Sequence, residues 1–153
     1  MAGIFKANEI ITAAEEIETR GEAFYQRLVD STSDDGAKEV FAFLRDEESK
    51  HRAIFHAMGE RLAPVELPAW AEEDEFLKYI NAMIEDHALF RLADAAGKEM
   101  TREEGIRMAM QFEKDTMLFF AEMRELVPNS EKDVVKACID EERSHLKRLM
   151  ALQ

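Results

Sequence analysis

Two Glu-x-x-His pairs, Glu48-Ser49-Lys50-His51 and Glu142-Arg143-Ser144-His145, constrain this chain more than any other feature. On a helix, residues three apart lie on one face, so each pair offers a carboxylate and an imidazole to one point. Each pair also interrupts an apolar stripe at helical spacing. One stripe runs through Phe41, Leu44, Glu48, His51, Phe55 and Met58; the other runs through Val135, Cys138, Glu142, His145 and Leu149. A charged group in the middle of such a stripe faces a core, where an unpaired carboxylate is costly. The two pairs therefore need partners inside the protein.

Two further stripes carry a carboxylate at the same place. Ala14, Glu18, Gly21, Tyr25 and Leu28 form one, and Ile106, Met110, Glu113, Met117 and Phe120 form the other. Four carboxylates in one low-dielectric space repel one another and protonate unless cations neutralise them. In a four-helix bundle, one Glu from each of two helices and a Glu-x-x-His from each of the others can enclose two metal ions. The candidate metal ligands are Glu18, Glu48, His51, Glu113, Glu142 and His145. Oxygen-rich ligation with one imidazole per metal suits iron or manganese, with zinc as a possible substitute.

The periodicity predicts a helix from about Asn8 to Val29, a polar turn over Ser31–Gly36, and a second helix from about Asp35 to Leu62. Pro64 and Pro68 then break the chain. A third helix begins at Thr101, where Thr-Arg-Glu-Glu reads as a capping box, and ends near Leu126. Pro128-Asn129-Ser130 stops it and caps a fourth, from about Glu131 to Leu149. The long second connection holds a helical stretch from Glu73 to about Leu92, with Phe76, Ile80, Met83, Ile84 and His87 at helical spacing. Short, long, short is the connectivity of an all-α, antiparallel four-helix bundle with one long, partly helical crossover. The length of 153 residues fits one such domain spanning 1–153, and six Gly with three Pro suit helices better than a sandwich.

Composition removes several classes of function. A formal charge of −13 argues against a nucleic-acid partner, because phosphate binding needs a basic surface. One cysteine, Cys138, excludes an intramolecular disulfide and any multi-cysteine zinc or iron–sulfur site within the chain. The N-terminal residues lack the build of a signal peptide and no apolar run reaches membrane-spanning length. The expectation is a cytoplasmic protein with no membrane contact.

Four segments carry a family likeness: Glu18-Thr19-Arg20-Gly21-Glu22-Ala23-Phe24-Tyr25, Glu47-Glu48-Ser49-Lys50-His51, Glu113-Lys114-Asp115-Thr116-Met117-Leu118-Phe119-Phe120 and Asp140-Glu141-Glu142-Arg143-Ser144-His145. Through them nearly the whole chain resembles the rubrerythrin branch of the ferritin-like superfamily. The resemblance implies that Glu18 and Glu113 are terminal carboxylates, Glu48 and Glu142 bridging ones, and His51 and His145 the imidazole ligands of two iron ions. It implies that Tyr25 hydrogen-bonds a ligand carboxylate across the bundle, while Phe120, in the matching place, cannot. The implied activity is that of a non-haem di-iron oxidoreductase reducing hydrogen peroxide, or reacting with O2, with Glu48, Glu142 and Tyr25 as catalytic groups. A homodimer is also implied.

Two departures from the family pattern matter. Full rubrerythrins carry a four-cysteine rubredoxin module, which Cys138 alone cannot supply, so an external donor such as a rubredoxin-like protein is expected. They also carry an extra carboxylate one turn from the terminal Glu of helix three, where this chain has Met110 and Thr116. Two other functions compete: a ferroxidase or iron-handling protein, and a bundle with a structural metal pair whose outer face binds a partner. Among the remaining residues, Cys138 reads as a small buried apolar side chain, and Gly21 as making room beside Glu18. His56 and His87 read as structural or surface residues, with an approach to the site or to a subunit interface as the alternative for His87; Glu15 and Glu22 read as solvated neighbours of Glu18, with a spare ligand as the alternative for either. Trp70, with Pro64, Pro68 and the crossover helix, is expected at a subunit contact.

Overall fold

The computed structural model describes residues 9–62, 72–87 and 100–153, and the regular structure among them is helical throughout. In chain order the helices are α1 (Ile10–Ser31), α2 (Asp35–Arg61), α3 (Glu73–Asp86), α4 (Arg102–Leu126) and α5 (Asn129–Met150). Local chemistry sets their ends. Asp34 caps α2 by accepting the Ala37 N–H at 3.1 Å, and Thr101 caps α4 by accepting that of Glu104 at 3.1 Å. Glu103 and Glu104 lie in the first turn of α4, while Arg61, Arg124, Lys147 and Arg148 lie in last turns, each sign complementing the helix dipole.

Only Thr32–Asp34 separate α1 from α2, and only Val127 and Pro128 separate α4 from α5, so each pair folds back as an antiparallel hairpin. The two hairpins meet through α1 with α4 and α2 with α5, which makes the four-helix bundle; α3, in the crossover, packs against α4. Small residues allow the α1–α4 approach. A Cβ on Gly105 would stand 2.8 Å from Leu28 Cδ2, so glycine there leaves the Leu28 side chain its place between the helices. At one end of the bundle Arg102 ties Asp34 (2.9 Å) to the Leu152 carbonyl (3.0 Å); at the other, Arg61 holds both oxygens of Glu131 (3.2 and 3.0 Å).

The fold class and its connectivity match the sequence reading, with differences at the margins. Helix α5 begins at Asn129 with Pro128 as its N-cap and no side-chain cap, two residues before the expected start at Glu131. Pro128 itself can hold that place because the N-terminal N–H groups of a helix have no partner within it. The crossover helix stops at Asp86 with His87 as its C-cap; the continuation to Leu92 lies outside the described residues, as do Asn8, Pro64, Pro68 and Trp70. On α4 the buried face is wider than the expected stripe: Ala109, Phe112, Thr116 and Phe119 are buried, and Met117 is only half-buried. An α4 that meets α1, α3 and α5 has contacts on more than one side, and so buries more than one ridge. Among the described residues no helix is long and apolar enough to cross a membrane.

Candidate metal centre

Each helix of the bundle delivers its mid-stripe carboxylate to the same depth. Glu18 on α1, Glu48 on α2, Glu113 on α4 and Glu142 on α5 are fully buried, and so are His51 (0% exposed) and His145 (2%). These six side chains divide into two groups that could each hold a metal ion. Glu18, Glu48, His51 and Glu142 form one; Glu48, Glu113, Glu142 and His145 form the other, with ligand atoms within 4.8 Å of one another in each. Glu48 and Glu142 belong to both groups, so their carboxylates stand between the two positions, while Glu18 and Glu113 stand at the outer ends. The imidazole planes lie 25° apart with centroids separated by 5.9 Å.

Within the cluster His145 Nδ1 bonds Glu142 Oε2 at 3.0 Å, but most of the buried polar atoms crowd together without bonding one another. Both oxygens of Glu18 and of Glu48, one each of Glu113 and Glu142, and Nδ1 of His51 make no hydrogen bond. Yet His51 Nδ1 lies 2.7 Å from Glu142 Oε1 and 3.4 Å from Glu18 Oε2. Close atoms with poor mutual alignment are aimed at common points between them rather than at each other. Buried polar groups seldom go without partners, and a cation at each point would supply one. The donor set fits such an occupant: all ligands are carboxylate oxygen or imidazole nitrogen, as iron and manganese prefer.

Electrostatics points the same way. Burial lifts the Glu18, Glu48 and Glu113 carboxyls well above the usual carboxylate range, and repulsion within the cluster adds to it. Burial pushes Glu142 upward too, but the close approach of Glu113, His145 and His51 outweighs it and holds this carboxylate ionised. Burial alone would lower both imidazoles. Glu142 beside His51, and Glu113 with Glu142 beside His145, override it and raise them to about 11 and about 10. Without metal, then, protons hold this cluster together; divalent cations entering it would displace them.

The surround is apolar. Ala14, Ile17, Leu44, Phe55, Phe112, Phe120 and Val135 are all fully buried. Tyr25, also fully buried, donates its hydroxyl to Glu113 Oε1. Burial and then the neighbouring carboxylates raise this phenol, which keeps it a donor. Phe120 packs its ring 4.9 Å from that of Phe55 and has no hydroxyl to offer. Gly21 makes the room expected of it: a Cβ there would meet Phe112 Cζ at 2.7 Å and Glu48 Oε2 at 3.2 Å.

Several contacts were not apparent in the sequence. The residue before each shared carboxylate faces the far nitrogen of the opposite imidazole. Glu141 Oε2 is 2.6 Å from His51 Nε2, and Glu47 Oε2 is 3.9 Å from His145 Nε2. The repeated Glu-Glu-x-x-His was the available signal. His87 is not a surface residue: it is 1% exposed, bonds Thr116 Oγ1 at 3.0 Å and sets its ring 5.5 Å from Phe112. Glu15 bonds His56 Nδ1 at 3.0 Å and Glu22 pairs with Arg52 at 2.8 Å, so neither joins the six-residue cluster. Cys138 is buried, and burial pushes its thiol up to about 12, which suits a packing role.

Fold and cluster together define a ferritin-like helical bundle built around paired carboxylate–imidazole positions. The chain belongs to the rubrerythrin family, whose profile, described as rubrerythrin, matches residues 9–153. A solved structure from Thermotoga maritima, described as a candidate ferritin-like diiron-carboxylate protein, shares the fold with a TM-score of 0.68. It is 24% identical, and the alignment covers 99% of this chain and 97% of that one. No curated protein matches the chain.

Proposed function

We propose that this protein is a non-haem di-iron oxidoreductase that reduces peroxide with electrons from an external donor. The observation that carries the reading is the pair of overlapping, fully buried ligand groups that share Glu48 and Glu142. Glu18, Glu48, His51 and Glu142 would hold one iron, and Glu48, Glu113, Glu142 and His145 the other. A bound iron pair supplies one electron per metal, which matches the two electrons needed to cleave an O–O bond.

The chain's own residues set the conditions for that chemistry. Glu48 and Glu142, shared by both groups, fix the two positions at a common spacing. Tyr25 orients Glu113 and keeps a proton at the edge of the cluster. The apolar wall of Ile17, Leu44, Phe55 and Phe112 excludes bulk water, so charge within the site is poorly screened and its potential is set by the protein. Family membership supports iron as the native metal. A rubredoxin-like protein as donor, a cytoplasmic setting and a homodimeric assembly complete the proposal.

A structural metal pair is the second reading, and Thr116 favours it. One turn beyond Glu113, this hydroxyl is engaged by His87, so no further carboxylate is at hand there for exchange at the metal. Stopped-flow mixing of the ferrous protein with peroxide separates the two. Rapid oxidation of the wild type, lost in Glu48→Ala, Glu142→Ala, supports the oxidoreductase. A ferrous protein that holds its metal and does not react with peroxide removes it.

A further inference from the structure

The two ligand groups are related by the chain's repeat, yet their supports differ in two independent ways. His51 directs Nδ1 into the cluster while Nε2 lies 2.6 Å from Glu141 Oε2. An N–H donated there fixes the tautomer that leaves the Nδ1 lone pair for metal, and the carboxylate makes the ring a stronger ligand. The equivalent acid for His145 is Glu47, at 3.9 Å, beyond hydrogen-bond reach. Lys50, three residues on, captures Glu47 with a 2.6 Å bond. The matching residue after Glu141 is Ser144, which carries no charge to compete. The second difference lies in the terminal carboxylates. Glu113 gives part of its electron density to the Tyr25 hydroxyl, whereas neither oxygen of Glu18 makes a hydrogen bond.

The Glu141 contact strengthens the Glu18–His51 group, whereas the Tyr25 bond orients Glu113 as well as drawing charge from it, so the imidazole supports decide the order. We propose that the two metal positions fill in order, the Glu18–His51 position before the Glu113–His145 position, and that Glu141 is the positioning residue that sets this order. Lys50 sustains it by keeping Glu47 away from His145. The proposal rests on the di-metal reading above and adds an inequivalence that the shared ligand types do not require. It also makes the Glu18–His51 metal the one held more firmly when the other is lost.

Titration of metal-free protein with Mn2+, followed by electron paramagnetic resonance and calorimetry, tests it without any assay of activity. At one equivalent the wild type should show an isolated bound Mn2+, and the second equivalent should convert this to an exchange-coupled pair. Glu141→Gln should weaken the tight step by about 10- to 100-fold, the usual effect of losing a carboxylate behind a ligating histidine. Glu47→Gln, the same change at the mirror position, should leave the tight step in place. Lys50→Ser should tighten the weak step and bring the two closer together. Glu18→Gln should remove the tight step and Glu113→Gln the weak one. A coupled pair forming from the first equivalent overturns the ordering while leaving the di-metal reading intact. So does a tight step indifferent to Glu141→Gln in a variant whose circular dichroism is unchanged. A wild type that binds no Mn2+ ends both.

Discussion

The Tyr25 hydroxyl on α1 is bonded to the Glu113 carboxylate on α4, crossing the bundle at the level of the carboxylate–imidazole cluster. This contact joins the two hairpins and fixes an outer carboxylate of the cluster at once. Tyr25→Phe keeps the ring and its packing on Phe24 and Phe112 but leaves a buried carboxyl with one partner fewer. We expect the metal-free variant to lose about 1–3 kcal/mol, the cost of orphaning a buried polar group, read as a lower midpoint in urea with an unchanged slope. An unchanged midpoint would show that Glu113 is held by other means.

Gly21 leaves room beside the cluster for the Phe112 ring and the Glu48 carboxylate. Alanine there improves helix propensity by about 0.5–1 kcal/mol, but its Cβ would press on Phe112 at 2.7 Å and approach Glu48 at 3.2 Å. Overpacking in a closed core costs about 1–3 kcal/mol, so the net effect should be destabilising. Because Glu48 belongs to both ligand groups, Gly21→Ala should also lower metal content by elemental analysis. Gly59→Ala is the control: its Cβ meets Ile11 Cγ2 at an ordinary 3.5 Å, and thermal stability should hold or rise.

His87 anchors the end of α3 to α4 through Thr116. His87→Phe should keep much of the ring contact with Phe112 yet strand a buried hydroxyl. A loss of about 1–3 kcal/mol is expected, with faster amide exchange along α3 than along α1 or α2. Uniform exchange across all helices would contradict the anchoring role.

The bundle was legible in the sequence because four stripes of apolar residues each repeat at helical spacing, and each carries a Glu at its centre. That pattern located the six clustered side chains as well: a carboxylate at an inward position has few places to go except toward others like it. What periodicity alone could not convey was lateral. Glu141 and Glu47 lie at the edges of their stripes, where a solvated carboxylate and a bonded one look the same in sequence; only the helix-to-helix distances distinguish 2.6 Å from 3.9 Å. His87 was ambiguous because its burial depends on how the crossover docks onto α4, which no repeat within α3 specifies. Thr116 outranked Met117 on the buried face because α4 touches neighbours on several sides.

Metal and protons compete for the same atoms, which gives a pH dependence of definite sign. In the metal-free protein His51 and His145 are raised from an unfolded value near 6.5 to about 11 and about 10, so their contribution is full below 6.5 and fades as pH rises toward those values. Glu18, Glu48 and Glu113, also raised, act in the same direction, their contribution being lost above the ordinary carboxylate range. Glu142 alone, held low, loses its contribution as pH falls through that lowered range. The melting temperature of metal-free protein should therefore drop between about pH 6 and about pH 9, while the extra stability conferred by divalent metal grows over the same interval. Calorimetric scans with and without metal check both slopes, and a metal-free protein that gains stability across that interval would refute the assignment.

Anomalous diffraction at the iron edge, from crystals of iron-loaded protein, tests the central claim most directly. The account predicts two peaks: one among Glu18, Glu48, His51 and Glu142, the other among Glu48, Glu113, Glu142 and His145. No peak within the bundle, or iron bound only at surface carboxylates, would contradict it.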